Sequence, residues 1–303
     1  MKIRDIGEIG LIERLAKGIR LDGSVVKGIG DDTAVIRWTK DKYLLFTCDM
    51  LVEDVHFKRS GATPFEIGWK ALARNVSDIA AMGGAPRYAL VSAAIDPDLP
   101  VSFADGVYKG MRSLAGMCGI NIVGGDTSAS GRVVIDVSLI GEVKKGDLVL
   151  RSGAVRGDAI LVTGGLGGSI KGRHLRFMPR LEESRSLVRD FKVHSMIDIS
   201  DGLALDLRRL LKASSAGARI CAGAVPLSGA ARSLEDALYG GEDFELLFTM
   251  AAPEAARLFR SALPRMKTPV TLIGEVTDKR YGCRLIDEYG REKPLKPKGY
   301  LHF

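Results

Sequence analysis

The sequence predicts an α/β (α+β) protein of two domains with mixed sheets. A chain of 303 residues with 46% hydrophobic content is long enough to form two hydrophobic cores. Apolar segments of strand length alternate with amphipathic helical segments in both halves, which is typical of layered strands and helices. Turn residues interrupt this alternation around residues 150–158, so we predict domains at residues 1–150 and 151–303.

Three segments of the first half have the composition of β-strands. They are residues 43–47, 87–95 and 132–143. In the third segment, Val133, Ile135 and Val137 recur at every second position, as a half-buried strand requires.

Two helices are predicted between these strands. Thr63 is a good N-cap for the first helix, because Glu66 stands three residues later and completes a capping box. The second helix is predicted to begin at Ser102 and to end near Gly119.

The second half repeats the alternation. Strand composition is found at residues 159–165, 196–200, 245–250 and 270–276. One helix is predicted from Leu203 and another from Pro253, between the last two strands.

Composition narrows the class of protein. The net charge is +7, but the basic residues are scattered, which favours a solvated surface or an attraction for small anions over a nucleic-acid site. The four cysteines lie far apart, which argues against a disulfide framework or a zinc site. No apolar run has the length of a membrane span, and the charged N-terminus does not resemble a signal peptide. We therefore expect a soluble cytoplasmic protein with no nucleic-acid or membrane partner.

Acidic residues recur at turns beside the predicted strands. They are Asp31, Asp32, Asp49, Asp126, Asp198 and Asp201, joined by Asp78 on the first predicted helix. A single Asp is ordinary in a turn, but close carboxylates raise one another's pKa unless a cation lies among them. Oxygen ligands without His or Cys clusters favour Mg²⁺, which typically accompanies phosphates.

The usual nucleotide-binding signatures are missing. The chain contains no Gly-Lys dipeptide, which excludes a P-loop, and "GGLGGS" at residues 164–169 lacks the spacing of a dinucleotide fingerprint. No G-x-S-x-G and no protein-kinase motif occurs. The pattern suggests a nucleotide enzyme that handles phosphates mainly with aspartates and metal.

A second acidic group is crowded into "GGEDFELLF", residues 240–248. Its members Glu242, Asp243 and Glu245 repel one another and need a cationic partner. The residues alone leave open whether this partner is a bound molecule or whether the acids only cap a turn.

Eight segments, in order along the chain, resemble the thiamine-monophosphate kinase family of the aminoimidazole ribonucleotide synthetase-like superfamily. They are "GIGDDTAVI", "TCDMLVEDVHF", "KALARNVSDIAAMGGAP", "IVGGDTS", "RSGAVRGD", "DISDGLALDL", "GGEDFELLF" and "KGYLHF", and they extend from residue 28 to the last residue. The resemblance implies ATP-dependent phosphorylation of thiamine monophosphate to thiamine diphosphate, with several Mg²⁺ ions. It also implies a homodimer paired through the sheet of the N-terminal ATP- and Mg²⁺-binding domain, with the C-terminal α/β domain completing the site.

The resemblance assigns roles to individual residues. The implied metal ligands are Asp32, Thr47, Cys48, Asp49, Asp78, Asp126, Asp198 and Asp201, of which Asp49, Asp126 and Asp201 are also implied to be catalytic. The implied ATP contacts are Tyr108, Gly125, Asp126, Arg151 and Ser200. The implied substrate contacts are His56, Glu242 and Tyr300, with Glu242 facing the cationic thiamine. The remaining histidines, His174, His194 and His302, receive no such role.

One position departs from the family pattern. Cys48 stands where the family usually has Thr, and a thiol is a poor ligand for Mg²⁺. The change is harmless if the family contact is a backbone carbonyl, and it removes one ligand if the contact is the hydroxyl.

Other functions are weighed against this interpretation. Aminoimidazole ribonucleotide synthetase shares the fold, whereas selenophosphate synthetase needs a reactive Cys in an early loop and no Cys precedes Cys48. The hydrogenase-maturation relative ends in a functional Cys, and this chain ends in Phe303. A non-catalytic sensor would be expected to lose some carboxylates, yet every matched Asp is present. Because the acceptor phosphate is already ionised, we expect direct in-line transfer assisted by Mg²⁺.

Overall fold

The computed structural model describes residues 1–261 and 266–303. The first half forms a six-stranded sheet in the order β1-β2-β3-β6-β4-β5. Its strands are β1 (Val25–Lys27), β2 (Ala34–Arg37), β3 (Lys42–Val52), β4 (Ala85–Ile95), β5 (Asn121–Ala129) and β6 (Val134–Lys144). The sheet is mixed, because β4 and β5 are parallel and the other pairs are antiparallel.

The second half forms a seven-stranded mixed sheet in the order β13-β12-β9-β11-β7-β10-β8. Its strands are β7 (Asp158–Thr163), β8 (Ser195–Asp198), β9 (Ala216–Cys221), β10 (Leu246–Ala251), β11 (Val270–Asp278), β12 (Cys283–Ile286) and β13 (Glu292–Pro294). Here β9 and β12 are the parallel pair.

Seven α-helices are found among the described residues. They are α1 (Ile3–Ala16), α2 (Pro64–Ala81), α3 (Val101–Cys118), α4 (Leu181–Asp190), α5 (Leu203–Ser214), α6 (Leu234–Tyr239) and α7 (Ala252–Ser261). The capping box of α2 is confirmed, because Glu66 N donates to Thr63 Oγ1 and Thr63 N donates to Glu66 Oε2. The predicted start of α3 at Ser102 is wrong. The helix begins at Val101 directly after Pro100, whose fixed φ allows the turn without a side-chain cap.

The two faces of the first sheet differ. The alternation predicted for β6 is confirmed, since Val133, Ile135, Val137 and Leu139 are all buried under α2 and α3. The opposite, outer face exposes Phe46, Met50, Tyr88 and Leu90. These four apolar side chains are uncovered in the single chain.

Helix α2 lies at the centre of the molecule. Gly68 brings it into backbone contact with α3, where an added Cβ would lie 1.8 Å from the carbonyl oxygen of Val107. The same helix packs on β3 and β6 of the first sheet and on β8 of the second. Side chains on α2 can therefore reach both halves of the chain. Within the described residues, no helix is both long and apolar enough to cross a membrane.

Candidate active site

Three charged residues lie along one side of α2. Lys70, Arg74 and Asp78 follow one another at intervals of four residues, which places them in a row on the helix surface. From Lys70 to Asp78 the row is about 12 Å long at 1.5 Å per residue. A separate group of polar side chains surrounds each of the three.

Asp78 belongs to a trio of carboxylates. The others are Asp32, which precedes β2, and Asp198, the last residue of β8, and the ligand oxygens of the three lie within 4.8 Å of one another. Thr47 donates to Asp78 at 2.5 Å, and Ser77 donates to Asp198 at 2.6 Å. Burial, and then the neighbouring carboxylates, raise the pKa of Asp78 and of Asp198 well above the ordinary value.

The trio fits a divalent cation. Arg151 donates to Asp32 Oδ1 at 2.7 Å, while Asp32 Oδ2 is buried and has no hydrogen-bond partner among the described residues. One guanidinium does not neutralise three carboxylates, so the trio lacks positive charge. Buried carboxylate oxygens with a neighbouring hydroxyl are the donor set that Mg²⁺ prefers.

Strand β3 supplies residues to both faces of its sheet. Thr47 is buried and faces α2, as does Asp49, whose Oδ1 lies 3.4 Å from an Arg74 nitrogen. The side chain of Cys48 lies on the outer face, where its thiol donates to Asp136 Oδ1 at 3.2 Å. Alternation along the strand thus directs the thiol away from the trio, and the implied ligand role of Cys48 stays a prediction. Only the backbone carbonyl of Cys48 remains as a candidate metal ligand at this position.

Asp126 is not brought to the trio within one chain. In the sheet register it aligns with Ser92 of β4, which aligns with Asp136 of β6 and then with Met50 of β3. Residues aligned in this way share a face, and Met50 and Ser92 are exposed on the outer face. Asp49 lies on the opposite face, so the sheet separates Asp49 from Asp126. The sequence alone did not reveal this separation.

Two further implied ATP contacts lie apart from the trio. Gly125 runs so close to β4 that a Cβ would lie 1.8 Å from the carbonyl oxygen of Val91, so strand packing alone requires glycine there. Tyr108 is half-buried on α3 and packs against the core of the first half.

Ser200 and Asp201 follow β8 and lie beside the second acidic group. The Ser200 carbonyl accepts a hydrogen bond from Glu242 N at 2.6 Å. The carboxylate of Asp201 pairs with Arg209, which also binds Asp206. Burial, and then the charge of Asp201, raise the pKa of Asp206 to about 7.

Glu242 is already paired inside the protein. Its Oε2 lies 2.6 Å from Lys70 Nζ and 2.7 Å from His174 Nδ1, and Lys70 is completely buried. Burial opposes ionisation of Glu242, but the hydrogen bond from His174 and the charge of Lys70 outweigh it and lower its pKa to about 2. Burial lowers the pKa of Lys70 to about 8, although Glu242 opposes the shift. Glu242 also has a φ of 66°, a strained conformation for a residue other than glycine.

The other two crowded acids also have internal partners. Asp243 accepts hydrogen bonds from Gly167 N at 2.8 Å and from Ser169. Glu245 pairs with Arg180 at 2.6 Å and with Arg173 at 3.0 Å. Donors of the protein itself therefore offset this crowding without a cationic substrate, and the role of Glu242 as a substrate contact stays a prediction.

Sequence reasoning missed Lys70 and His174. Lys70 stands in the buried segment between Trp69 and Ala71, and a Lys there needs an acidic partner. That signal could have identified Lys70. No comparable signal pointed to His174, which reaches Glu242 from a short turn 68 residues away in sequence.

His56 lies at a cavity of about 330 Å³. It is lined by Asp49, Met50, Val52, Val55, His56, Arg74 and His302. The His302 ring lies 5.2 Å from the His56 ring and 5.0 Å from the Tyr300 ring, so His302, which received no role from the resemblance, links the two implied substrate contacts. Burial, and then the charge of Arg74, lower the pKa of His56 to about 4.

Comparison with known protein families first defines the fold class of this chain. The profile of the AIR synthase related protein N-terminal domain matches residues 30–143, and that of the C-terminal domain matches residues 144–285. The predicted fold class is thereby confirmed.

The relatives define the family. Thiamine-monophosphate kinase of Rhodopirellula baltica is 39% identical over 295 residues, 92% of each chain. The Bacillus subtilis enzyme of that name is 35% identical and covers 98% of this chain and 99% of its own. A solved structure described as AaThiL complexed with AMPPCP and TMP has a TM-score of 0.86 and 33% identity, over 100% of this chain and 99% of that one. The chain belongs to the thiamine-monophosphate kinase family.

The ion pair between Lys70 of α2 and Glu242 gives the first testable prediction. Lys70→Met leaves the half-buried Glu242 without its lysine and with only His174 beside it, and we expect a loss of about 3 kcal/mol in the free energy of unfolding. Adding Glu242→Gln should restore part of this loss, because the unpaired charge is removed. Urea unfolding of the single and double variants measures both values. A single variant as stable as the unmodified protein would contradict the pairing.

Proposed function

We propose that this protein transfers the γ-phosphoryl group of ATP to thiamine monophosphate and forms thiamine diphosphate. The observation that carries the proposal is the row of charged residues on α2. Its Asp78 belongs to the carboxylate trio, and its Arg74 lines the same cavity as His56. Similarity to thiamine-monophosphate kinases over nearly the full chain supports it. The neighbour that contains AMPPCP and TMP supports the same pair of substrates. The relatives named above do not favour aminoimidazole ribonucleotide synthetase.

Carboxylate and hydroxyl oxygens of the site would hold Mg²⁺. We assign this role to Asp32, Thr47, Asp49, Asp78, Asp198 and Asp201, with Arg151 and Ser200 as ATP contacts. Bound Mg²⁺ neutralises the charge of two polyanions that would otherwise repel each other. The roles of Tyr108, Gly125 and Asp126 in ATP binding stay predictions, as do the metal-binding and catalytic roles of Asp126. We place the reaction in the cytoplasm.

The function is tested by incubating the protein with ATP, Mg²⁺ and thiamine monophosphate and measuring thiamine diphosphate. We expect Asp49→Asn and Asp198→Asn each to lower kcat by about 100-fold or more, because each removes charge stabilisation at the transferred group. Asp98→Asn changes an exposed acid outside the site and serves as the matched control. Product formation that is unaffected in both site variants, or that does not need Mg²⁺, would contradict the assignment.

The geometry of His56 favours direct transfer over a phosphohistidine. Its Nδ1 accepts a hydrogen bond from Val52 N at 3.0 Å, and with a pKa of about 4 the ring is neutral at pH 7. The ring proton therefore lies on Nε2, which can donate to a phosphate oxygen but offers no lone pair for attack. The acceptor phosphate is already ionised and needs no strong base.

This mechanism predicts that the protein itself is never phosphorylated. ATP labelled at the γ-phosphate, mixed with protein and Mg²⁺ but no acceptor, should leave no acid-labile label on the protein. We also expect His56→Asn to raise KM for thiamine monophosphate more than it lowers kcat. Stoichiometric label that passes to thiamine diphosphate on adding acceptor would refute direct transfer.

We also propose that two copies pair through the outer face of the first sheet. Phe46, Met50, Tyr88 and Leu90 form an exposed apolar patch there, and burying such a patch drives association. Sedimentation at micromolar concentration should give about twice the chain mass of 32.6 kDa. Leu90→Glu should dissociate the pair, whereas an active monomer of the unmodified chain would contradict it.

A further inference from the structure

The guanidinium of Arg74 lies in the cavity at the middle of the α2 row. Asp78 of the carboxylate trio is four residues further along the helix and Lys70 is four residues before it, each about 6 Å away along the axis. The cavity is also lined by His56 and His302. Arg74 is thus the cationic side chain between the proposed metal site and the Lys70–His174–Glu242 cluster.

The hydrogen-bonding capacity of Arg74 is only partly used. One terminal nitrogen donates to the carbonyl oxygen of Met50 at 3.0 Å, and the other lies 3.4 Å from Asp49 Oδ1, a long contact for an ion pair. Its Nε is buried and has no acceptor among the described residues. An unsatisfied buried donor of this kind is costly unless a ligand completes it.

A phosphate group fits these donors. The planar fork of an arginine matches two phosphate oxygens at once, which an ammonium group does not. His56 offers Nε2–H to the same cavity, as argued above from its bond with Val52 N. His302 adds a second ring, and its backbone is held where Glu8 of α1 accepts a hydrogen bond from His302 N at 2.9 Å.

We propose that Arg74 binds the phosphate monoester of the acceptor substrate and holds it beside the carboxylate trio. This inference rests on the proposed function and names a residue that neither the sequence motifs nor the resemblance assigned. The acceptor is favoured over ATP because the cavity is lined by His56, an implied substrate contact, and by His302, whose ring lies 5.0 Å from that of Tyr300, another implied substrate contact. Arg151, which pairs with Asp32 of the trio, is the arginine on the ATP side.

The test is calorimetric binding in Mg²⁺ buffer without ATP, using thiamine monophosphate, unphosphorylated thiamine and ADP as probes. We expect Arg74→Gln to weaken thiamine monophosphate about 10- to 100-fold while changing thiamine and ADP by less than about twofold. Arg74→Lys keeps the charge but not the fork and should be intermediate. Arg219→Gln removes an arginine that lines a different cavity and pairs with Glu275, and it should change none of the three affinities.

Three results would overturn the inference. Unchanged binding of thiamine monophosphate by Arg74→Gln is the first, and an equal loss for thiamine, indicating a general structural role, is the second. The third is an equal loss for ADP, which would place Arg74 on the donor phosphate. If Arg74→Gln does not fold, Arg74→Lys decides instead. We then expect the ratio of its affinity for thiamine monophosphate to its affinity for thiamine to be about fivefold lower than in the unmodified protein. Turnover by the unmodified protein is measured in parallel, so a failure of the proposed function is distinguished from a failure of this binding role.

Discussion

Helix α2 places a row of charges in the interior, and the rest of the site depends on how those charges are satisfied. A buried charge without a partner costs several kcal/mol, so each position in the row requires a complementary group from another element. Lys70 requires Glu242 and His174 from the second half, and Asp78 requires Thr47 and a cation shared with Asp32 and Asp198. The row therefore fixes β3, β8 and the 240–245 segment relative to one helix.

This arrangement separates two kinds of acidic group. Glu242, Asp243 and Glu245 are each paired with donors of the chain, so they shape the protein without needing a ligand. The trio at the Asp78 end of the row has, among the described residues, a single arginine for three carboxylates. The deficit of positive charge is thus concentrated where phosphates and metal are proposed to meet. A bound cation would offset this deficit.

Local features were predictable from the sequence because short-range chemistry decides them. The Thr63–Glu66 capping box and the period-two burial of β6 are of this kind. The face occupied by Cys48 and the distance of Asp126 from the trio depend on strand order and register, which no single segment encodes. Lys70, the partner of Glu242, is 172 residues away from it in sequence. Only the folded chain therefore shows that a lysine of the protein supplies positive charge where the sequence led us to expect a cationic substrate.

The central claim is that the carboxylate trio is complete only with a divalent cation, and the free energy of unfolding measures this directly. Urea unfolding of the unmodified protein and of Asp78→Asn would be compared in EDTA and in millimolar Mg²⁺. Asp78→Asn removes one repelling charge, so in EDTA the variant should be at least as stable as the unmodified protein. Mg²⁺ should raise the free energy of unfolding of the unmodified protein by about 1–3 kcal/mol and leave the variant nearly unchanged. Equal stabilisation of both proteins by Mg²⁺, or of neither, would contradict the account.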